Sequence, residues 1–393
     1  MTSLNSFHHP IPAMRIHYGC DCLLQLASDL ARAGCRRAMV FCGRSLANDT
    51  NGLPRLIALL GDLYAGSFQN VQAHSPLPAV VEGAEALRAG KADAVIALGG
   101  GSAIVSARAS TILLGEGKAI EHLQTRFAPG QKPVSPRLLA PKLPQFVIPT
   151  TPTTACVKAG TAVLDPTQGK RLTMLDPQTR ASALYLDPQL ALAAPMPIVQ
   201  DAALNAFVMA VQGLESNTCE PLADAQLIHA LRLIRDNIPL LGTARDSADV
   251  RGKLLLAGVL IGQGTDYTSG GLASVIGHCL GTRQHLSNGL TNAILLPHTI
   301  HFNAPATGDR LMIIAELFGN GIPSGEDIAM AAAHACAAFF KSLGIATRLR
   351  DIGVKADALK TVTEDAKTDW FLYQNPRRIE DTDALLPVLQ AAW

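Results

Sequence analysis

Gly99, Gly100, Gly101 and Ser102 stand between an apolar run (AVIAL, 94–98) and a helix-like stretch at 103–109. Without a Cβ, glycines let a backbone close on a bound group. The start of the following helix offers free N–H donors and the positive end of its dipole. A pyrophosphate is the usual occupant of such a junction in an open α/β sheet. The plain alternative is a tight turn that needs positive φ. A second loop, Pro149-Thr150-Thr151-Pro152-Thr153-Thr154, follows another apolar run, FVIP. Hydroxyls at a strand's carboxyl end could take phosphate or ribose, or could cap their own backbone. A third pattern, Gly277-His278-Cys279-Leu280-Gly281, has the G-x-C-x-G form of a nucleophile elbow, which would suit a thiol hydrolase. An elbow needs a strand before its nucleophile, and SGGLASVIGHCLG reads as helix, so Cys279 is expected to be a small apolar filler.

The elements around these loops alternate. Residues 37–42 (RAMVFC), 94–98 and 146–149 read as buried strands, and 53–60 and 82–89 read as helices. That alternation predicts a parallel sheet with helices on both faces. The Pro- and Lys-rich stretch 126–144 reads as a surface loop. Beyond about residue 190 strand signals almost vanish. Helical apolar spacing with abundant Ala and Leu runs through 201–214, 221–238, 247–262, 292–301, 308–319 and 328–343. The expected division is therefore a sheet domain over 1–190 and a helical domain over 191–393.

Composition narrows the class. A chain of 393 residues is long for a single core, and 48% hydrophobic with 17% charged residues describes a folded enzyme-sized protein rather than a disordered one. A net charge of +1 with no Lys/Arg cluster argues against nucleic-acid binding. No apolar stretch reaches the ~18 residues of a membrane span, and the N-terminus lacks the apolar core of a signal peptide. Eight scattered cysteines fit reduced thiols in the cytoplasm. A small-molecule partner and a homodimeric assembly are expected.

GGGS after AVIAL, PTT after FVIP, ALYLDPQLALAAP at 183–195, Asp201 opening a helix, GHCLG at 277–281, NAILLPHTIHFN at 292–303 and QNPRRIEDTDALL at 374–386 follow one another along nearly the whole chain. In that order they resemble the iron-containing alcohol dehydrogenase superfamily. Two stretches, 169–187 and 296–306, resemble its maleylacetate reductase branch. The resemblance implies a Rossmann-like parallel-sheet domain, a helical C-terminal domain and an active site in the cleft between them. It implies nicotinamide cofactor binding by Gly99, Gly100, Gly101, Ser102, Thr150, Thr151 and Thr154, with Arg171 near the cleft. It places His278 beside the nicotinamide, where a neutral imidazole can donate a proton to a forming alkoxide.

The resemblance also implies a divalent metal held by one Asp and three His, and here the chain departs. The Asp is Asp201, but the three His positions are Asn205, Ser274 and Asn288. Fe²⁺ and Zn²⁺ favour imidazole or thiolate, so no tightly bound metal is expected. The usual Asp near the first glycines is Val105, and the acidic residue after the second strand is replaced by Gly43 followed by Arg44. Arg44 could pair with a 2′-phosphate, which admits NADPH as well as NADH. The expected activity is metal-independent NAD(P)-dependent reduction of a carbonyl, or oxidation of an alcohol, on a small polar substrate that could carry a carboxylate. His278 would act with Asp201 and Asn205, and Ser274, Arg283 and Asn288 would bind substrate. The alternatives are a non-redox enzyme reusing the cleft and an inactive homologue.

Overall fold

The computed structural model describes residues 6–127, 132–319, 321, 322, 325 and 327–393. The first five residues of the presumed non-signal N-terminus, and part of the loop at 126–144, lie outside the described residues. The strands are β1 (Arg15–Tyr18), β2 (Ala38–Phe41), β3 (Tyr64–Phe68), β4 (Ala94–Gly99), β5 (Gln145–Pro149), β6 (Gly160–Asp165), β7 (Lys170–Leu175) and β8 (Ala181–Leu186). Six form one sheet in the order β1-β8-β5-β4-β2-β3, every pairing parallel. Strands β2, β4 and β5 are buried at every position, because helices cover both faces and no side chain meets water. β6 and β7 stand apart as an antiparallel hairpin.

The sheet half also carries α1 (Leu26–Arg32), α2 (Arg44–Asn48), α3 (Leu53–Leu60), α4 (Leu77–Ala89) and α5 (Gly101–Glu116). From there the chain is helical: α6 (Met196–Glu215), α7 (Pro221–Asn237), α8 (Ala248–Thr268), α9 (Leu272–Gln284), α10 (Asn288–Thr307), α11 (Met312–Phe318), α12 (Ile328–Ser342), α13 (Ala358–Ala366) and α14 (Leu386–Ala392). One sheet face packs on α1 and α3 through Leu26, Leu30, Leu56 and Leu60. The other packs on α4 and α5, and also on Leu255 and Val259 of α8. A helix of the second half therefore completes the core of the first.

Sequence expectations and structure differ in particulars. Asp201 does not open its helix: α6 starts at Met196, where Pro195 precedes it and Pro197 sits in the first turn. Strands β1, β3, β6, β7 and β8 lie outside the three stretches that read as strands. β1 is an edge strand with three exposed residues, and β3 contains Gly66 and Ser67, so neither shows an apolar run. GHCLG lies inside α9, as its helical reading required.

Candidate active site

Two sequence signals converge at the carboxyl ends of β4 and β5. Gly99 has φ of +139°, a conformation that favours glycine, and Gly100 caps α5. The two loops touch. The Thr150 N–H donates to the Gly99 carbonyl at 3.1 Å, and a Cβ on Gly100 would sit 3.1 Å from Thr151 Oγ1. Thr150 and Thr151 are buried, yet no described protein group bonds their hydroxyls. Thr153 behaves as the plainer reading required, its Oγ1 accepting from Ala155 N–H at 3.2 Å. Thr154 opens the short turn that follows, and its carbonyl lies against α8. A Cβ on Gly262 would come within 2.8 Å of that carbonyl oxygen, so α8 buttresses the loop by close backbone approach. Ser102 contributes its carbonyl, which accepts from Ser75 Oγ at 3.1 Å.

Arg44 is exposed at the start of α2, with Gly43 as its cap. With Asn48, Ser67, Phe68, Gln69 and Asn70 it lines a recess of about 470 Å³ beyond β2 and β3, and none of these residues is acidic.

His278 stands on α9 with a defined orientation. Its Nδ1 lies 2.8 Å from Asp369 Oδ2, and the pair is almost entirely buried. An ionised carboxylate only accepts, so Nδ1 carries the hydrogen and Nε2 is left as the working nitrogen. Trp370 stacks on the imidazole at 4.5 Å and Phe371 flanks it at 5.6 Å. Phe371 also lies over Gly270, where a Cβ would fall 2.6 Å from the ring, so this segment presses directly on the residues before α9.

The four positions implied as metal ligands lie on α6, α9 and α10, and each bonds a protein partner through one of its polar atoms. Asp201 Oδ1 accepts from Ser287 Oγ and, at 3.0 Å, from Leu290 N–H, so the carboxylate caps α10. A Cβ on Gly289 would lie 1.9 Å from the Asp201 carbonyl oxygen, which is what lets the helices meet so closely. Asn205 Oδ1 accepts from Asn292 Nδ2 at 2.9 Å. Ser274, 1% exposed, donates to Gln212 Oε1 at 2.8 Å and also lies 3.4 Å from Met209 Sδ. Asn288 Oδ1 accepts from Arg171 Nη2 at 3.4 Å.

A family model described as iron-containing alcohol dehydrogenase matches residues 12–188, and one described as Fe-containing alcohol dehydrogenase family, C-terminal, matches 200–393. The chain belongs to the iron-containing alcohol dehydrogenase family. It is 28% identical over 391 residues to the maleylacetate reductase of Rhizobium sp. (strain MTP-10005), covering 99% of this chain and 98% of that protein. It superposes on an alcohol dehydrogenase from Oenococcus oeni with a TM-score of 0.89 at 21% identity, covering 99% of this chain and 100% of that one. The structure of sulfoacetaldehyde reductase from Bifidobacterium kashiwanohense in complex with NAD+ matches with a TM-score of 0.84 at 18% identity, covering 99% of each chain. These two likenesses establish the fold. Membership makes the protein an oxidoreductase of the alcohol dehydrogenase/reductase type.

The residues of this iron-containing alcohol dehydrogenase family member do not fit the family's metal. One carboxylate, two carboxamides and a hydroxyl are weak donors for Fe²⁺ or Zn²⁺, and each already bonds a protein partner. Among the described residues no group of three or more His, Cys, Asp or Glu could hold an ion.

Other assignments sort plainly. Arg171, from β7, reaches the second half, donating to Thr282 Oγ1 at 3.2 Å and to Asn288. Arg283 is instead paired with Asp365 on α13, so its charge is compensated at the surface. Cys279 is buried, and burial first, then Asp369 and Asp365, hold its thiol well above the usual range. A thiolate nucleophile is disfavoured there. Asp369, Trp370 and His74 escaped sequence reading. His74 and Ser75 take consecutive left-handed conformations (φ 61° and 50°), which non-glycine residues adopt at a cost. Burial, then Arg171 and His285, lower the His74 pKa against the opposing pull of Asp201, which keeps that imidazole neutral. No local pattern marks Asp369; only α9 packing against the 367–374 segment brings it to His278. A separate cavity of about 920 Å³ between α10, α12 and α14 contains none of these groups.

Proposed function

We propose that the protein is a metal-independent, NAD(P)H-dependent carbonyl reductase acting on a small polar substrate between a sheet domain (1–190) and a helical domain (191–393). The observation that carries this reading is that each of the four metal-ligand positions bonds a protein partner, beside an imidazole that Asp369 orients through Nδ1. The glycine turn and α5 suit a pyrophosphate, and the Thr150 and Thr151 hydroxyls lack protein partners that would compete for it. The relative solved with NAD+ shares this fold, and the dehydrogenase family gives the cofactor class. A reduced nicotinamide bound there supplies a hydride to the carbonyl carbon. His278, entering the step as the imidazolium, gives its Nε2 proton to the oxygen that takes up the displaced electron pair, so an alcohol leaves and the neutral Nδ1–H tautomer remains on Asp369. Asp369 keeps the imidazole aimed and stabilises its protonated form before transfer. Asp201 and Asn205 shape the wall facing the substrate, with Asn288 beside them. Arg44 faces the 2′-phosphate, which favours NADPH at least equally.

Calorimetric titration with NADH and NADPH on chelator-treated protein tests this reading, together with elemental analysis and turnover on a panel of small aldehydes and keto acids. The expected result is binding and turnover that survive chelation. About one iron or zinc per chain, with turnover lost on its removal, would overturn metal independence.

A further inference from the structure

Arg171 brings a guanidinium to Asn288, one of the four positions implied as metal ligands. Arg171 projects from the hairpin β6–β7, whose register pairs it with Leu164, and the Leu164 N–H donates to the Ser75 carbonyl at 3.2 Å. The hairpin is thus tied to the loop carrying His74 and Ser75, and Ser75 in turn bonds Ser102 in the cofactor turn. From this fixed base the side chain crosses to α9 and α10. Its two bonded acceptors are neutral, the Thr282 hydroxyl and the Asn288 carboxamide. Thr282 also donates to the His278 carbonyl at 2.8 Å, so guanidinium and imidazole are joined through a single residue.

The charge balance at this spot is unusual. Arg171 cannot shed its proton under ordinary conditions. The carboxylate that acts on it, Asp369, is already committed to His278, and the other nearby group of that sign is the buried Cys279 thiol, which burial keeps protonated. The positive end of α10, where Asn288 begins the helix, adds to the field. His285, which closes α9, and His74 are the other titratable groups near, and neither brings negative charge. A largely buried cation with only neutral partners is costly unless something negative arrives. Reduction of a carbonyl creates such a charge on oxygen.

We propose that Arg171 is a catalytic residue that stabilises the developing oxyanion, replacing the Lewis acid of the family. This rests on the carbonyl-reductase reading above. A cation aimed at the developing charge acts only as the transition state forms, so its loss should fall on kcat.

The test compares Arg171→Ala and Arg171→Lys with the unaltered protein, each checked by thermal melting. Arg171→Ala should lower kcat by roughly 10²–10³-fold, leave the NADPH dissociation constant within about threefold, and recover part of its rate with added guanidinium chloride. Arg171→Lys should fold normally and keep an intermediate rate, since it retains the charge but not the fork. A second readout does not depend on turnover. In a Trp393→Phe background the only tryptophan is Trp370, which stacks on His278, so its fluorescence reports the site. Acetate should quench it with saturation in the parent and lose that saturation in Arg171→Ala. If Arg171→Ala keeps its kcat while NADPH affinity collapses, the guanidinium belongs to the cofactor and the proposal fails. Acetate binding that is unaltered in Arg171→Ala would overturn it as well. A protein that binds acetate through Arg171 but reduces no carbonyl would instead refute the reductase reading.

Discussion

The glycine turn after β4 and the four positions implied as metal ligands treat their polar atoms in different ways. In the turn, no side chain caps the start of α5, and no described protein group bonds the Thr150 and Thr151 hydroxyls. At the metal position, Asp201, Asn205, Ser274 and Asn288 each bond another residue. A buried polar group left open costs free energy unless a ligand satisfies it. The turn thus leaves hydroxyls that an occupant could bond, whereas the four positions of the helical half serve as framework by bonding protein, although Gln212 Nε2 and Asn292 Oδ1 beside them stay buried without a partner.

The largest expected effect tests whether the framework side still does chemistry. His278→Gln should lower turnover by roughly 10²–10⁴-fold, the usual contribution of general acid–base catalysis. NADPH affinity, read by calorimetry, should change little because the glycine turn is untouched. Near-normal turnover would break the contrast by leaving the helical half with no catalytic part.

Glu215 sharpens the comparison because it ends α6, the helix of Asp201 and Asn205, with an ionisable group that lacks a full set of partners. It is fully buried, Oε2 has no partner, and burial raises its carboxyl pKa to about 8, with an opposing hydrogen bond from Asn303. The folded state thus holds a proton that the unfolded chain releases near its ordinary value of 4.5. The stability this proton confers is present below that value and is lost as pH rises through about 8. Glu215→Gln should therefore be more stable than the parent at pH 8, by an amount on the order of 3 kcal/mol. The gain should vanish near pH 4. Urea unfolding at the two pH values checks it, and a pH-independent difference would mean that Glu215 is ionised in the fold.

The smallest effect concerns the open side. Arg44→Ala should weaken NADPH by roughly ten- to a hundredfold, the worth of one hydrogen-bonded charge, and leave NADH binding alone. Equal losses for both cofactors would place Arg44 away from the 2′-phosphate.

The sequence by itself determined the parallel sheet, the glycine turn after β4, the helical second half and the identity of His278. Buried parallel strands are written as continuous apolar runs, and a turn needing positive φ is written as glycine, so local residues suffice to read them. The hairpin β6–β7 has no continuous apolar run; β6 alternates in burial but β7 does not, so its short arms escape a reading by apolar runs. What only tertiary structure decided was which polar atoms remained available. Asp201 became a cap because Gly289 lets α10 reach its backbone, and Ser274 was consumed because Gln212 faces it across α6 and α9. Asp369 stands 91 residues from the imidazole it orients, and Arg171 stands 117 from the carboxamide it touches. Hydrogen bonds act over about 3 Å whatever the sequence separation, so the partners of these groups were fixed by helix packing and left no trace in local spacing.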